Sequence, residues 1–296
     1  MRALGARLAA RARAALAGAS RRLVPFRAGG ESIGALRPDF AEELRRWPVV
    51  FAVDSKGVSL KDPLSLPAIG RTLADEGWIR GWRNETYAVY GAHGAPLFHI
   101  ERAAMRRFGL IARAAHANVT TGRGAARRIW IARRSASKPI DPGMLDNLVG
   151  GGIASGAGAF ATLVKEAREE AGIEPARAAR ARYVKSLMVE RPVPEGLHRE
   201  ILYVYDLAVA PGFRPRNLDG EVAGFECVER AGLAARIARG GFTVDAGLVA
   251  LDWLLRSDAK LHAAPAGRRL ARLLERSERL AAAFGPPHAP QAPRPC

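Results

Sequence analysis

The feature that most restricts this chain is Gly150-Gly151-Gly152-Ile153-Ala154-Ser155-Gly156, which leads into a helical pattern over 159–171 and stops at Gly172-Ile173. Glycine ends such a pattern naturally, because the residue after the last turn takes a left-handed backbone that costs glycine little. Glu166, Glu169 and Glu170 then stand at i, i+3 and i+4, on one face near the helix C-terminus. Three carboxylates in that position repel one another and meet the negative end of the helix dipole, which costs stability unless cations accompany them. Hard oxygen ligands of this kind suit Mg²⁺ or Mn²⁺. The glutamates alone would equally describe a solvated face, with Lys165 and Glu169 as an ordinary surface pair. The glycines argue for the site, since a glycine-rich strand end beside a carboxylate-bearing helix lets the backbone approach a diphosphate.

The rest of the composition sets limits. A chain of 296 residues, 48% hydrophobic, can bury a substantial core, and at roughly 100–200 residues per domain it suggests two domains. Cys227 and Cys296 are its cysteines, too few for a disulfide framework or a cysteine zinc site, and a reducing cytoplasm is the expected location. Every apolar run is interrupted well short of the roughly 20 residues needed to cross a bilayer, so no transmembrane segment is expected. The formal charge of +17 gathers at the ends. Residues 1–30 hold Arg2, Arg7, Arg11, Arg13, Arg21, Arg22 and Arg27 without an acid, and the segment after Ser257 adds Lys260, Arg268, Arg269, Arg272, Arg276, Arg279 and Arg294. No aromatic residues are interleaved among the first arginines to stack bases, so nucleic acid is not the expected partner. The acid-free start fits a mitochondrial transit peptide or an ordinary first helix, and Ala and Arg are too common throughout to separate the two.

Along the chain, Gly29-Gly30 breaks the basic start. Helices are expected over 40–47, 66–76 and 101–108, a hairpin over 49–60, and strands over 87–90 and 96–100. Trp78, Trp82 and Tyr87 read as core packing before they read as an aromatic wall for a ligand. Longer strands follow at 114–120, 128–133, 183–190 and 200–209, and a broad apolar helix at 246–256. The expected organisation is a basic N-terminal helix or arm (1–30), a small α+β domain (31–108), a larger domain carrying the glutamates (109–256) and a basic, proline-rich tail (257–296) with one short amphipathic helix. His116, His198 and His262 are too scattered in sequence to suggest a metal cluster.

With the first glycine set at Gly151, residues 151–173 resemble the Nudix box. Glu166, Glu169, Glu170, Gly172 and Ile173 match it, whereas Ala157 replaces its first Glu, Lys165 its Arg and Ala167 an aliphatic residue. A wider resemblance runs through Pro25-Phe26-Arg27, Trp78-Ile79-Arg80-Gly81-Trp82-Arg83, Asp141-Pro142-Gly143-Met144-Leu145-Asp146-Asn147, Pro194-Glu195-Gly196-Leu197 and Asp219-Gly220-Glu221-Val222. These look like the thiamin-pyrophosphokinase-related Nudix hydrolases, which carry a small domain before the Nudix domain. The resemblance implies an α+β chain in which a Nudix α/β/α sandwich follows a small α+β domain. It implies hydrolysis of a small-molecule diphosphate, with thiamin diphosphate and its oxidised derivatives as the substrate class and Mg²⁺ or Mn²⁺ as cofactor.

On this reading Glu166, Glu169 and Glu170 are the metal ligands, and Glu169, Glu170 and Glu221 the catalytic carboxylates, Glu221 from a loop that is equally well a plain turn. Arg133, Arg134, Lys138, Gly151 and Gly152 are the expected substrate contacts, because guanidinium groups match phosphate oxygens and glycines admit them. Two other readings stay open: a Nudix-fold diphosphate sensor with weak catalysis, which Ala157 and Lys165 favour, and an RNA-end or nucleotide hydrolase using the basic ends. Oligomeric state and the number of metals are not legible.

Overall fold

The computed structural model describes residues 2–19, 22–91 and 94–285; Arg21 and the segment from Pro286 onward, with Arg294 and Cys296, lie outside the described residues. The elements in order are α1 (Arg2–Ala15), β1 (Val24–Ala28), β2 (Glu31–Leu36), α2 (Pro38–Glu43), β3 (Phe51–Asp54), β4 (Gly57–Leu60) and α3 (Leu66–Asp75). They continue with β5 (Thr86–Tyr90), β6 (Pro96–Glu101), β7 (Ile111–Thr121), β8 (Arg128–Arg134), β9 (Leu145–Asn147), β10 (Val149–Gly152) and α4 (Ala159–Ala171). Last come α5 (Pro175–Ala178), β11 (Arg182–Val193), β12 (Gly196–Ala208), β13 (Val222–Val228), α6 (Arg230–Ala238), α7 (Val244–Ser257), α8 (Ala259–Ala263) and α9 (Pro265–Ala282).

The smaller domain is built on a sheet of order β2-β1-β4-β3, with the β5–β6 hairpin beside it. Helix α3 contributes Leu66, Ile69, Gly70 and Leu73, the i, i+3, i+4, i+7 stripe of an amphipathic helix. Phe26, Phe40, Phe51 and Phe108 meet at the centre with ring centroids 5.0–6.5 Å apart. A boundary at residue 30 would split this domain. Gly29 and Gly30, at φ 58° and 81°, form the two-residue turn of the β1–β2 hairpin, where both central residues need positive φ. The helix expected over 101–108 shrinks to a single tight turn at Arg102–Ala104, because the Glu101 side chain bonds the amides of Arg83, Glu85 and Ala103 and so ties the segment to its neighbour.

The larger domain is a three-layer α/β/α sandwich around a sheet of order β11-β12-β7-β8-β13, with β12 parallel to β7 and with β10 and β9 added on β7 and β8. On one face α4 presses Leu163, Ala167 and Ala171 onto Ala115, Ala117, Met188, Ile201 and Tyr203. The opposite face carries α1, α6, α7 and α9. Helices α1 and α9 are therefore not appendages. Helix α1 inserts Leu8, Ala9, Ala12 and Ala15 among α6, α7 and α9, and α9 adds Leu270 and Leu274 to the same core. Arg7, Arg11 and Arg13 of α1 and the arginines of α9 are exposed, so both basic helices are amphipathic, and what the charge hides is the burial of their small apolar residues. Among the described residues no helix is long and apolar enough to cross a membrane.

Backbone hydrogen bonds join the domains: Ser155 N–H to Thr86 O (2.8 Å) and Leu197 N–H to Arg106 O (3.0 Å). They fix β5, from the smaller domain, against the glycine-rich loop of the larger one.

Candidate active site

Helix α4 starts after Gly158 and ends at Gly172, whose φ of 62° lets its N–H reach back to the last turn, so Glu166, Glu169 and Glu170 fall on adjoining turns as their spacing predicts. Glu170 is buried, and its Oε2 accepts the Gly150 N–H at 2.9 Å. Burial holds its carboxyl well above the usual range, against the opposing pull of that N–H. Glu166 is also raised, first by burial. Glu169 lies at the rim, bonded by the Lys165 ammonium at 2.6 Å, with Glu166 3.3 Å from the same nitrogen. Lys165 thus supplies the counter-charge, and its own pKa is raised first by the Glu169 bond.

The three glycines are required by close approach. A Cβ on Gly151 would stand 2.5 Å from Glu166 Cδ, one on Gly150 2.7 Å from His116 Nδ1, and one on Gly152 would overlap the Tyr87 hydroxyl. The glycines thus let the strand end pack closely against Glu166, His116 and Tyr87, and the hard oxygen donors on the helix fit a small divalent cation.

The remaining predicted residues divide. A cavity of about 1080 Å³ opens over the box helix between the two domains. Arg134, Lys138, Gly151, Gly152, Glu166, Glu169 and Glu221 line it. Arg133 does not: alternation along β8 turns it away, and it bonds Gly143 O (2.9 Å) and Glu226 (3.3 Å) at the surface. Arg134 is held by Asp146 at 2.8 Å. Lys138 is ion-paired with Glu221, and burial followed by the Arg134 charge lowers its pKa. Gly220, at φ 82°, forms the turn that sets Glu221 beside the cavity. Ala157, where the box has its first Glu, is exposed and borders a separate small pocket with Tyr90, Arg113 and Tyr203.

Sequence comparison assigns both halves. Residues 111–243 match the NUDIX domain, and residues 7–112 match a domain of unknown function, DUF4743. Nudix hydrolase 20, chloroplastic, of Arabidopsis thaliana is 34% identical over 252 residues, covering 79% of this chain and 67% of its own. Nudix hydrolase 24, chloroplastic, of the same plant is 35% identical over 245 residues, covering 79% and 67%. The chain belongs to the Nudix hydrolases. A solved protein of Deinococcus radiodurans aligns at 27% identity and a TM-score of 0.45, over 58% of this chain and 99% of that one. As a Nudix hydrolase the chain is an enzyme acting on phosphoanhydride bonds, in a family whose members are generally pyrophosphohydrolases and use divalent cations.

The smaller domain also lines this Nudix cavity, with Arg83, Glu85 and Arg102 beyond what the sequence suggested. Tyr87 and Trp78 are at once core and cavity wall, whereas Trp82 packs under Arg71 and bonds Asn84 at 2.9 Å. Farther along the wall, His198 Nε2 lies 3.0 Å from Asp245 Oδ1 and 3.7 Å from Glu200 Oε2, and the three could hold a metal ion. Burial pushes Glu200 up, and the neighbouring Asp245 adds to it; Asp245, although burial opposes ionisation, is held low by His198. Scattered histidines in sequence therefore understate this one. His198 and Glu200 share a strand face by their i, i+2 spacing, but only the start of α7 brings Asp245 to them. His116 instead bonds Asn147 at 2.9 Å, and His262 lies on α8, exposed.

Proposed function

We propose that this Nudix hydrolase cleaves a small-molecule diphosphate of the thiamin diphosphate class, its oxidised derivatives included, to the monophosphate and phosphate, with Mg²⁺ or Mn²⁺ held by Glu166, Glu169 and Glu170. The observation that supports the reading is a single cavity lined by Glu166 and Glu169 of the box, by Gly150–Gly152, and by Arg134 and Lys138; Glu170 is buried behind it. The cation, when bound, would lower the pKa of a water and offset charge on the transferring phosphoryl group. The chain's own residues do the rest. The Gly150 N–H orients Glu170, while Lys165 holds Glu166 and Glu169 together. On this reading Glu169, at the solvent rim, takes a proton from the attacking water, and Glu221 is the second acceptor once a phosphate draws Lys138 away from it. Arg134 and Lys138 face the phosphate oxygens. The substrate class rests on the resemblance through residues 78–83, 141–147, 194–197 and 219–222.

A phosphate-release screen with Mg²⁺ or Mn²⁺ over thiamin diphosphate, its oxidised derivatives, nucleoside diphosphates and dinucleotides tests the proposal. Release is expected to be fastest from the thiamin series; a clear preference for nucleotides would refute that substrate class.

A further inference from the structure

The cations on the Nudix side of the cavity are already engaged: Arg134 with Asp146, and Lys138 with Glu221. On the opposite wall Arg102 is bound to Glu85 at 2.7 Å. Arg83 differs. Its guanidinium is half-buried in the cavity wall and makes no hydrogen bond or ion pair to any described residue. The turn that carries it is fixed on every side. The Glu101 carboxylate accepts the N–H of Arg83 at 3.0 Å and that of Glu85 at 3.2 Å. Between them Asn84 is left-handed, at φ 57°, a conformation asparagine tolerates better than most residues, and its side chain accepts the Trp82 indole N–H. Such a turn is held in a sparsely populated conformation by its surroundings, as segments that present a functional group often are.

A second observation lies next to it. Tyr87 is 3% exposed, lines the same cavity, and its hydroxyl is buried against Gly152 without a hydrogen-bond partner. A buried phenol is normally satisfied, because an unpaired one forfeits the bonds it made to water. Arg83, Tyr87 and Arg102 also lie within electrostatic reach of one another, and Arg83 and Arg102 within reach of Lys138, which in turn senses Glu170. An excess of donors from two domains thus gathers in one region of the cavity. Burial and the neighbouring Arg102 both make the Arg83 charge costly where it stands, a cost that an anion would remove.

We infer that the smaller domain completes the active site: Arg83, supported by Tyr87, binds a phosphoryl group of the diphosphate that the box carboxylates engage from the other side. A planar guanidinium can take two phosphate oxygens at once, which positions the group as well as attracting it. The inference rests on the proposed reading that this cavity takes a diphosphate. It assigns a role in substrate binding to the domain of unknown function, with Arg83 and Tyr87 as its binding groups.

The test uses the full chain with Mn²⁺ and methylenediphosphonate, a diphosphate mimic that cannot be hydrolysed, measured by calorimetry alongside Mn²⁺ binding alone. Arg83→Gln is expected to weaken methylenediphosphonate about tenfold to hundredfold, the range for loss of a charged hydrogen-bonded contact, with Mn²⁺ affinity unchanged and the thermal midpoint of the free protein no lower than wild type. Arg83→Lys should recover part of the loss, and Tyr87→Phe should show a smaller weakening of the same kind. A role confined to folding would instead lower the thermal midpoint and leave binding by the folded fraction intact. Methylenediphosphonate affinity within twofold of wild type in folded Arg83→Gln and Tyr87→Phe, while Glu170→Gln abolishes it, overturns this inference alone. Wild-type chain that binds Mn²⁺ but not methylenediphosphonate overturns it together with the diphosphate reading. Should Arg83→Gln fail to fold, Arg83→Lys decides, because unchanged affinity there rules out the two-oxygen contact.

Discussion

Replacing Glu170 by Gln separates the charge of this residue from its shape. Its Oε2 accepts the Gly150 N–H at 2.9 Å, and an amide oxygen can do the same, so the loop and helix should keep their contact. What disappears is one negative charge in a buried position. At an effective dielectric near 20, a unit pair 4 Å apart is worth about 4 kcal/mol, and a divalent ion doubles that before the cost of its lost hydration is counted. Even if hydration consumes most of it, a net loss of about 3 kcal/mol lowers metal affinity by more than about a hundredfold. Mn²⁺ titration by calorimetry or electron paramagnetic resonance reads this directly, and hydrolysis should fall with it. The same substitution should have the opposite effect without metal. Burial raises the Glu170 pKa, so its contribution to stability is fully present below the unfolded carboxyl value and is lost as pH rises through the higher folded one. Glutamine carries no such dependence. In EDTA, the thermal midpoint of Glu170→Gln should gain on wild type as pH rises from about 4 towards 8, and added Mg²⁺ should reverse the order. A folded variant whose Mn²⁺ affinity stays within threefold of wild type would refute the assignment of this carboxylate to the metal.

Two other substitutions probe the frame around the site. Leu8→Ala empties a fully buried position on α1 and should cost about 2–5 kcal/mol in urea unfolding; a change below about 0.5 kcal/mol would return α1 to the status of an arm. Gly152→Ala drives a methyl into the Tyr87 hydroxyl and should cost about 1–3 kcal/mol, part of which Tyr87→Phe restores. A double-mutant cycle by thermal melting measures that coupling, and strict additivity would show that the two residues do not meet.

The box was legible because its determinants are local. Helix periodicity and a terminating glycine place Glu166, Glu169 and Glu170 on one face without help from the rest of the chain, and the three glycines announce a close approach before the partner is known. The β/α alternation between residues 114 and 256 likewise follows from apolar patterning. What is approached was not local. That Gly151 faces Glu166 while Gly152 faces Tyr87, that Arg134 turns inward and Arg133 outward, and that Asp245 joins His198 and Glu200 depend on strand register and on where α7 begins. The ends misled for the same reason. Charge is visible in sequence, but burial of the alanines and leucines between the arginines depends on α1 and α9 finding each other across more than two hundred residues. Arg83 shows the limit most clearly: in sequence it is one arginine among many, and only the packing of the smaller domain against the glycine-rich loop puts it, without a hydrogen-bond partner, in the cavity that Glu166 and Glu169 line.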